Sequence, residues 1–191
     1  EIDFVADIAM HMPGHIIGTI LGVPENECPQ LRVWSDNVVQ FFGLARTEDD
    51  KTLAERATSE FHLYLVDLIK SRRRAPKDDL LSILIGAQEA GELNETELIA
   101  TAMLILMAGH GSTIDVMGSG CHALMRHPDQ MELLRACPAQ LPDAVQEMFR
   151  YDTPLPFFHR YAARDCAMAG YHIPEGTKVG LLYGAANRDP T

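Results

Sequence analysis

Six consecutive small or polar residues, Ala108-Gly109-His110-Gly111-Ser112-Thr113, interrupt an otherwise apolar run and hold the most chemically suggestive pattern in the chain. The Ser112 and Thr113 hydroxyls each donate and accept, so they can bond back to helix carbonyls or face a cavity and handle protons. The small residues of Ala108 to Thr113 clear a flat space. Farther along, Glu147 and Arg150 stand three apart, on one face if helical, where such a pair is ordinarily an exposed ion pair. The apolar segment Pro154-Leu155-Pro156-Phe157-Phe158-His159 then delivers Arg160, whose guanidinium suits a carboxylate.

Other candidates are weaker. His11 and His15 are four apart, but Pro13 disturbs the helical face between them and no third ligand is near. Cys28, Cys121, Cys137 and Cys166 are scattered without C-x-x-C spacing, which indicates neither zinc nor a disulfide framework and fits a reducing, cytosolic setting. There is no G-x-S-x-G nucleophile turn, and the glycine pairs at 109/111 and 118/120 lack the third glycine, lysine and preceding strand of a phosphate loop. Arg72-Arg73-Arg74 at a helix end reads as dipole compensation rather than a phosphate or partner site.

Positioning these groups requires a long strut. Glu97 to Pro128 reads as one helix, capped by Asn94, with Glu97 as the acidic half of a capping box and Pro128 as the stop. About thirty helical residues span roughly 50 Å. Gly109, Gly111, Gly118 and Gly120 each cost about 1 kcal/mol there. A closely packed neighbouring helix accounts for Gly118 to Gly120, and clearance at a site accounts for Ala108 to Thr113.

Before the strut, residues 1–23 give two short helices around Pro13-Gly14, Leu31 to Leu44 a helix, Arg46 to Lys51 a charged break, and Leu53 to Arg74 a long amphipathic helix. Leu80 to Ala90 follows, capped by Asp78 or Asp79 and ended by Gly91. After it come helices at Asp129 to Arg135 and Asp143 to Tyr151. Extended runs then follow at Tyr161 to Ala163, Ala167 to Ala169, Tyr171 to Ile173 and Lys178 to Tyr183. The fold expected is mainly α with a small antiparallel β element, one partial domain over residues 1–191 with no second.

With 191 residues, 47% of them hydrophobic, the chain can bury a real core. Its formal charge of -11 argues against nucleic acid. The apolar run Leu98 to Gly109 is too short to span a bilayer, so no membrane segment is expected. The chain starts at Glu1 and stops at Thr191 in a strand-to-loop exit, so both ends look cut.

Taken together, these features resemble the cytochrome P450 superfamily, of the soluble bacterial type. Ala108-Gly109-His110-Gly111-Ser112-Thr113 is similar to the A-G-x-[DE]-T-[TS] segment of that family's central helix, and Glu147-Met148-Phe149-Arg150 to its E-x-x-R. Arg160, Ile173 to Thr177, Ala185 to Pro190, Asp78 to Ser82 and Leu21 to Pro24 extend the likeness in order. The resemblance implies a P450-like core around the long helix and a heme (iron protoporphyrin IX) monooxygenase. It further implies a small-molecule substrate and electrons from a ferredoxin- or flavodoxin-type partner.

By position, the resemblance places Leu104, Ala108 and Gly109 against the porphyrin and Arg160 on a propionate. Ser112 takes the place of the proton-delivering alcohol, with Gly111 and Thr113 beside it. Met107, Leu155, Pro156, Phe157 and Phe158 line the substrate pocket, while Glu147 and Arg150 are structural. Two departures stand out. Gly111 replaces the family's acid, leaving Ser112 to work with water or a substrate group. The loop carrying the axial cysteine is absent and is expected beyond Thr191, so no metal ligand is expected in this chain. The rival reading is a heme-free P450-like helper that activates a biosynthetic enzyme such as a glycosyltransferase.

Overall fold

Thr47, Asp79 and Asn94 start three helices by the same means, an extended residue whose side chain takes a backbone N–H of the first turn. In the computed structural model, which describes residues 1–43 and 47–190, Thr47 Oγ1 accepts from Asp50 N–H (3.2 Å) and Asp50 Oδ2 from Thr47 N–H (2.7 Å). Helix α3 (Glu48–Arg74) therefore begins five residues ahead of the expected Leu53. The acidic stretch expected as a break is its first turn, where negative charge is favourable. The expected capping box at Asn94 and Glu97 is present, with bonds of 3.0 and 2.8 Å. The expected Leu44 end of the preceding helix and the Arg46 start of the break lie outside the described residues.

Two compact units divide the chain, Glu1–Ile114 and Asp115–Thr191. In the first, a π-helical turn (Val5–Ala9) leads into α1 (Met12–Leu21), α2 (Cys28–Gln40), α3, α4 (Leu80–Glu89) and α5 (Glu95–Ala108). Pro13 sits in the first turn of α1, which explains the split expected there. The core combines Leu21, Leu31, Phe61, Leu65, Leu81 and Leu98, all nearly inaccessible. Trp34 stacks on Phe61 at 5.3 Å and donates its indole N–H to Glu60 (2.9 Å), so its ring is buried while its polar edge is satisfied.

A buried clamp ties three segments of this unit. Gly22 ends α1 in the left-handed region (φ 82°), and its carbonyl accepts from Arg72 Nη2 (2.5 Å) in the last turn of α3. Arg72 Nε lies 2.7 Å from Asp79 Oδ2, and Asp79 caps α4 through Oδ1. Arg73 pairs with Glu95 at 2.6 Å. Two of the three consecutive arginines are thus held by specific carboxylates, beyond ordinary dipole compensation.

The expected continuous helix from Glu97 to Pro128 is broken. α5 stops at Ala108 and α6 runs Gly111–Arg126, with Gly109-His110 between them. Gly109 leaves helical geometry (φ -82°, ψ 2°), and its missing side chain leaves room for Ile17 of α1. The local hydroxyls then cover carbonyls at the break: Ser112 Oγ donates to Ala108 O (3.1 Å) and Thr113 Oγ1 to Gly109 O (3.2 Å). By length and composition Glu95–Arg126 passes as one candidate membrane span. Leu98, Ile99, Ala102 and Leu106 of its α5 part join a core shared with the charge-rich α3.

The second unit contains the rest of α6, α7 (Pro128–Ala136), α8 (Leu141–Tyr151), four short strands and α9 (Tyr183–Ala186). Pro128 opens α7 rather than closing the strut, in keeping with proline's preference for the first helical turn. A Cβ at Gly120 would lie 2.6 Å from Met148 Sδ, which is the close helix approach expected of that glycine. Antiparallel β1 (Phe158–Tyr161) and β4 (Lys178–Leu181) pair Phe158 with Leu181, while β2 (Cys166–Met168) and β3 (Tyr171–Ile173) form a hairpin. The first strand thus lies three residues ahead of the expected Tyr161 to Ala163. The last stops at Leu181, because Gly184 N–H turns back onto Pro156 O (3.0 Å) and begins α9.

Candidate functional site

At the α5–α6 break, side-chain direction follows helical spacing. Leu104 is 63% exposed, and Ala108 and Ser112, four and eight residues on, are exposed with it. The opposite face carries Ala102, Leu106 and His110 into the interior. The result is an open stripe of one leucine, one methyl and one hydroxyl. Met107 turns partly onto the core, and Thr113 is half-buried.

The glycines of the break do different things. A Cβ on Gly109 would lie 3.2 Å from Ile17 of α1, so the close approach it permits within this unit is that of a neighbouring side chain. A Cβ on Gly111 would meet nothing within 4 Å, and the space beside Ser112 stays open.

His110 is the residue that sequence reasoning passed over. It is 2% exposed, and its Nε2 has no hydrogen-bond partner. Burial holds its pKa below the ordinary value; Asp36 opposes that shift and Arg32 reinforces it. The unfolded chain protonates this imidazole near pH 6.5 and the folded chain only at lower pH, so stability falls as pH drops below about 6.5. Urea midpoints from Trp34 fluorescence at pH 7.5 and 5.5 should show this loss, and a smaller one in His110→Phe. An equal loss in both proteins would assign it to other groups.

In the second unit, Arg160 is exposed on β1, with its guanidinium 5.0 Å over the Phe158 ring and one donor on His159 O (2.9 Å). Phe157 covers Gly180 and Pro156 covers Gly184, while Leu155 is 47% exposed. Arg150 grips Glu147 with two bonds of 2.6 Å and sends a third, also 2.6 Å, to Asn187 O. Arg188 donates back to Tyr151 O. The E-x-x-R pair thus links α8 to the segment after α9.

Whether these residues fit a heme depends on the side considered. The open stripe of Leu104, Ala108 and Ser112 suits the flat face of a porphyrin. Burial pushes the thiols of Cys28 and Cys121 up. Cys28 Sγ is also engaged with Pro24 O (3.6 Å). Among the described residues no group of three or more His, Cys, Asp or Glu could hold a metal ion.

The family model for Cytochrome P450 matches residues 34–136 and 140–191. The chain belongs to the cytochrome P450 family, in which heme is the cofactor. It is 32% identical over 191 residues to the biotin biosynthesis cytochrome P450 of Bacillus subtilis (strain 168), covering all of this chain and 48% of that protein. With the vitamin D(3) 25-hydroxylase of Pseudonocardia autotrophica it shares 37% over 193 residues, 98% of this chain and 46% of that one. Among solved structures, P450BioI in complex with hexadec-9Z-enoic acid ligated acyl carrier protein superposes with a TM-score of 0.91 at 32% identity, over 99% of this chain and 49% of that chain. The chain spans about half the length of the curated relatives it matches.

Proposed function

We propose that this chain is part of a heme-thiolate monooxygenase, an oxidoreductase that inserts oxygen into, or couples carbons of, a small apolar or partly apolar molecule. Electrons come from a separate ferredoxin- or flavodoxin-type protein, and the setting is bacterial cytoplasm. Both units belong to one domain. The observation that carries this reading is the open stripe of Leu104, Ala108 and Ser112 at a hydroxyl-capped helix break, in a chain of this family.

In this reading Ala108 and Leu104 contact the porphyrin, with Gly109 at the break. Ser112 Oγ holds and passes a proton, drawing on water or a substrate group because Gly111 brings no carboxylate. Thr113 keeps the break in place by covering Gly109 O. Arg160 pairs with a heme propionate. Met107 and Leu155 to Phe158 shape the substrate side, and Glu147 and Arg150 hold α8 in position. When bound, the heme supplies oxygen activation. The axial thiolate that the family resemblance implies would come from a cysteine outside these 191 residues.

The names of the relatives support oxidation of a small organic molecule. Gly111 is the observation that favours the alternative, a heme-free helper for an enzyme such as a glycosyltransferase. A reduced, CO-bound absorption spectrum of the full-length protein separates the two. The thiolate-heme Soret band is expected, and its absence would sink the monooxygenase reading in favour of the helper.

A further inference from the structure

Two arginines of the second unit reach crosswise, each to the carbonyl beside the other. Arg150 Nη1 donates to Asn187 O (2.6 Å), and Arg188 donates to Tyr151 O through Nε (3.1 Å) and Nη2. We propose that Arg188 is a positioning residue: with Arg150 it forms a crossed pair of caps that fixes the direction in which the chain leaves α9. It thereby places the segment that follows, which in the heme reading above leads to the axial cysteine. Only that last step rests on the heme reading.

The two carbonyls are of the kind that helix ends leave over. Tyr151 is the last residue of α8 and Asn187 caps the end of α9, so their oxygens fall among those without an intrahelical N–H donor. Each arginine arrives already oriented. Arg150 is gripped by Glu147 through two bonds of 2.6 Å, and the Arg188 guanidinium lies 5.0 Å from the centre of the Tyr151 ring. Tyr151 is steadied in turn by His127, which meets it edge to face, with Nε2 3.4 Å from the phenol oxygen.

One link alone would be a pivot about which the segment after α9 could turn. Two links on adjacent residues, running in opposite senses, remove that freedom. Arg188 must both stack on a ring and fork onto the carbonyl of the same residue, which a planar guanidinium can do and an ammonium cannot. Arg150, Tyr151 and Arg188 are all exposed, so their bonds add modestly to the stability of the unit. Their effect lies in direction.

The test uses the full-length protein and reads amide exchange over residues 186–189, whose N–H groups bond to carbonyls within and just before α9. Arg188→Met should speed that exchange about tenfold. The midpoint of global unfolding should stay unchanged. Arg188→Lys, which keeps the charge and loses the fork, should remain fast. Tyr151→Leu keeps the carbonyl and removes the ring, and about a threefold rise is expected, which keeps the test decisive even where Arg188→Met fails to fold. Unchanged exchange in Arg188→Met and Tyr151→Leu, or full recovery in Arg188→Lys, would overturn the proposal. In the reduced, CO-bound spectrum, Arg188→Met should lower the thiolate-bound share of the heme without lowering total heme. An unaltered share beside faster exchange would overturn the step toward the cysteine. A wild-type protein without the thiolate band would overturn the monooxygenase reading instead, and exchange would still decide the crossed caps.

Discussion

Asp79→Ala is expected to lower the stability of the first unit by about 3–5 kcal/mol, the usual consequence of stranding one member of a buried ion pair. Arg72 and Asp79 side chains are 4% and 5% exposed, so the remaining guanidinium would be left charged in the interior, with only the Gly22 carbonyl to accept from it. The same substitution removes the N-cap of α4, a further loss of about 1 kcal/mol. For a domain with only about 5–15 kcal/mol in total, that approaches unfolding. Trp34 is the only tryptophan and lies in this unit's core, so its fluorescence in urea reports the clamp directly. Asp79→Asn keeps an oxygen for the Ser82 N–H and isolates the charge. The double variant Arg72→Met, Asp79→Leu should recover part of the loss, because it strands no charge. Gly22→Ala attacks the same point by shape: at φ 82° its Cβ would sit 2.0 Å from Asp79 Oδ2. If Asp79→Ala shifts the midpoint no more than an exposed i,i+3 pair such as Lys70–Asp67 does, the clamp is not holding the unit.

The contrast between that clamp and the helix starts shows what a sequence discloses. Asn94 with Glu97, and Asp79 as a cap, were readable because capping is completed within three residues of chain. Thr47 with Asp50 is as local, but the charges around it read as a break when they are the favoured occupants of a first turn. Arg72 meets Gly22 across fifty residues, so nothing local marks it as different from Arg74. The strut was legible in its extent and illegible in its break. Gly109 was noticed as a cost, yet the neighbour that needs its small size, Ile17, comes from another helix. Likewise His110 stood in plain view between two glycines, and only packing against Gly14 separates a buried unpaired imidazole from a solvated one. Leu104, Ala108 and Ser112 are marked in the sequence only by the family resemblance; that they share one exposed face is shown by the structure, because which face of the helix packs inward depends on other helices.

In the heme-loaded full-length protein, Gly111→Glu is expected to raise the yield of organic product per electron consumed. The rate of the proton-limited step should rise about 100-fold, the low end of what a positioned acid or base contributes. The geometry allows it: a Cβ at 111 meets no atom within 4 Å, so a carboxylate enters without displacing a neighbour. The change should also stabilise the 191-residue chain by about 1 kcal/mol, since glycine is replaced by a good helix former. It also puts negative charge at the first residue of α6, where the helix dipole favours it. The two readouts are separable. Higher stability with unchanged product yield would mean that Gly111 is not the limiting absence. Ser112→Ala should act in the opposite direction, lowering product yield per electron while costing little stability. Its hydroxyl is exposed and covers only the Ala108 carbonyl (3.1 Å). Combining the two changes decides whether they share one path. If a carboxylate at 111 works through the Ser112 hydroxyl, it should bring no gain once that hydroxyl is removed, and the double variant should match Ser112→Ala alone. A full gain in the Ser112→Ala background would show that the acid delivers protons by another route and that Ser112 is not part of it.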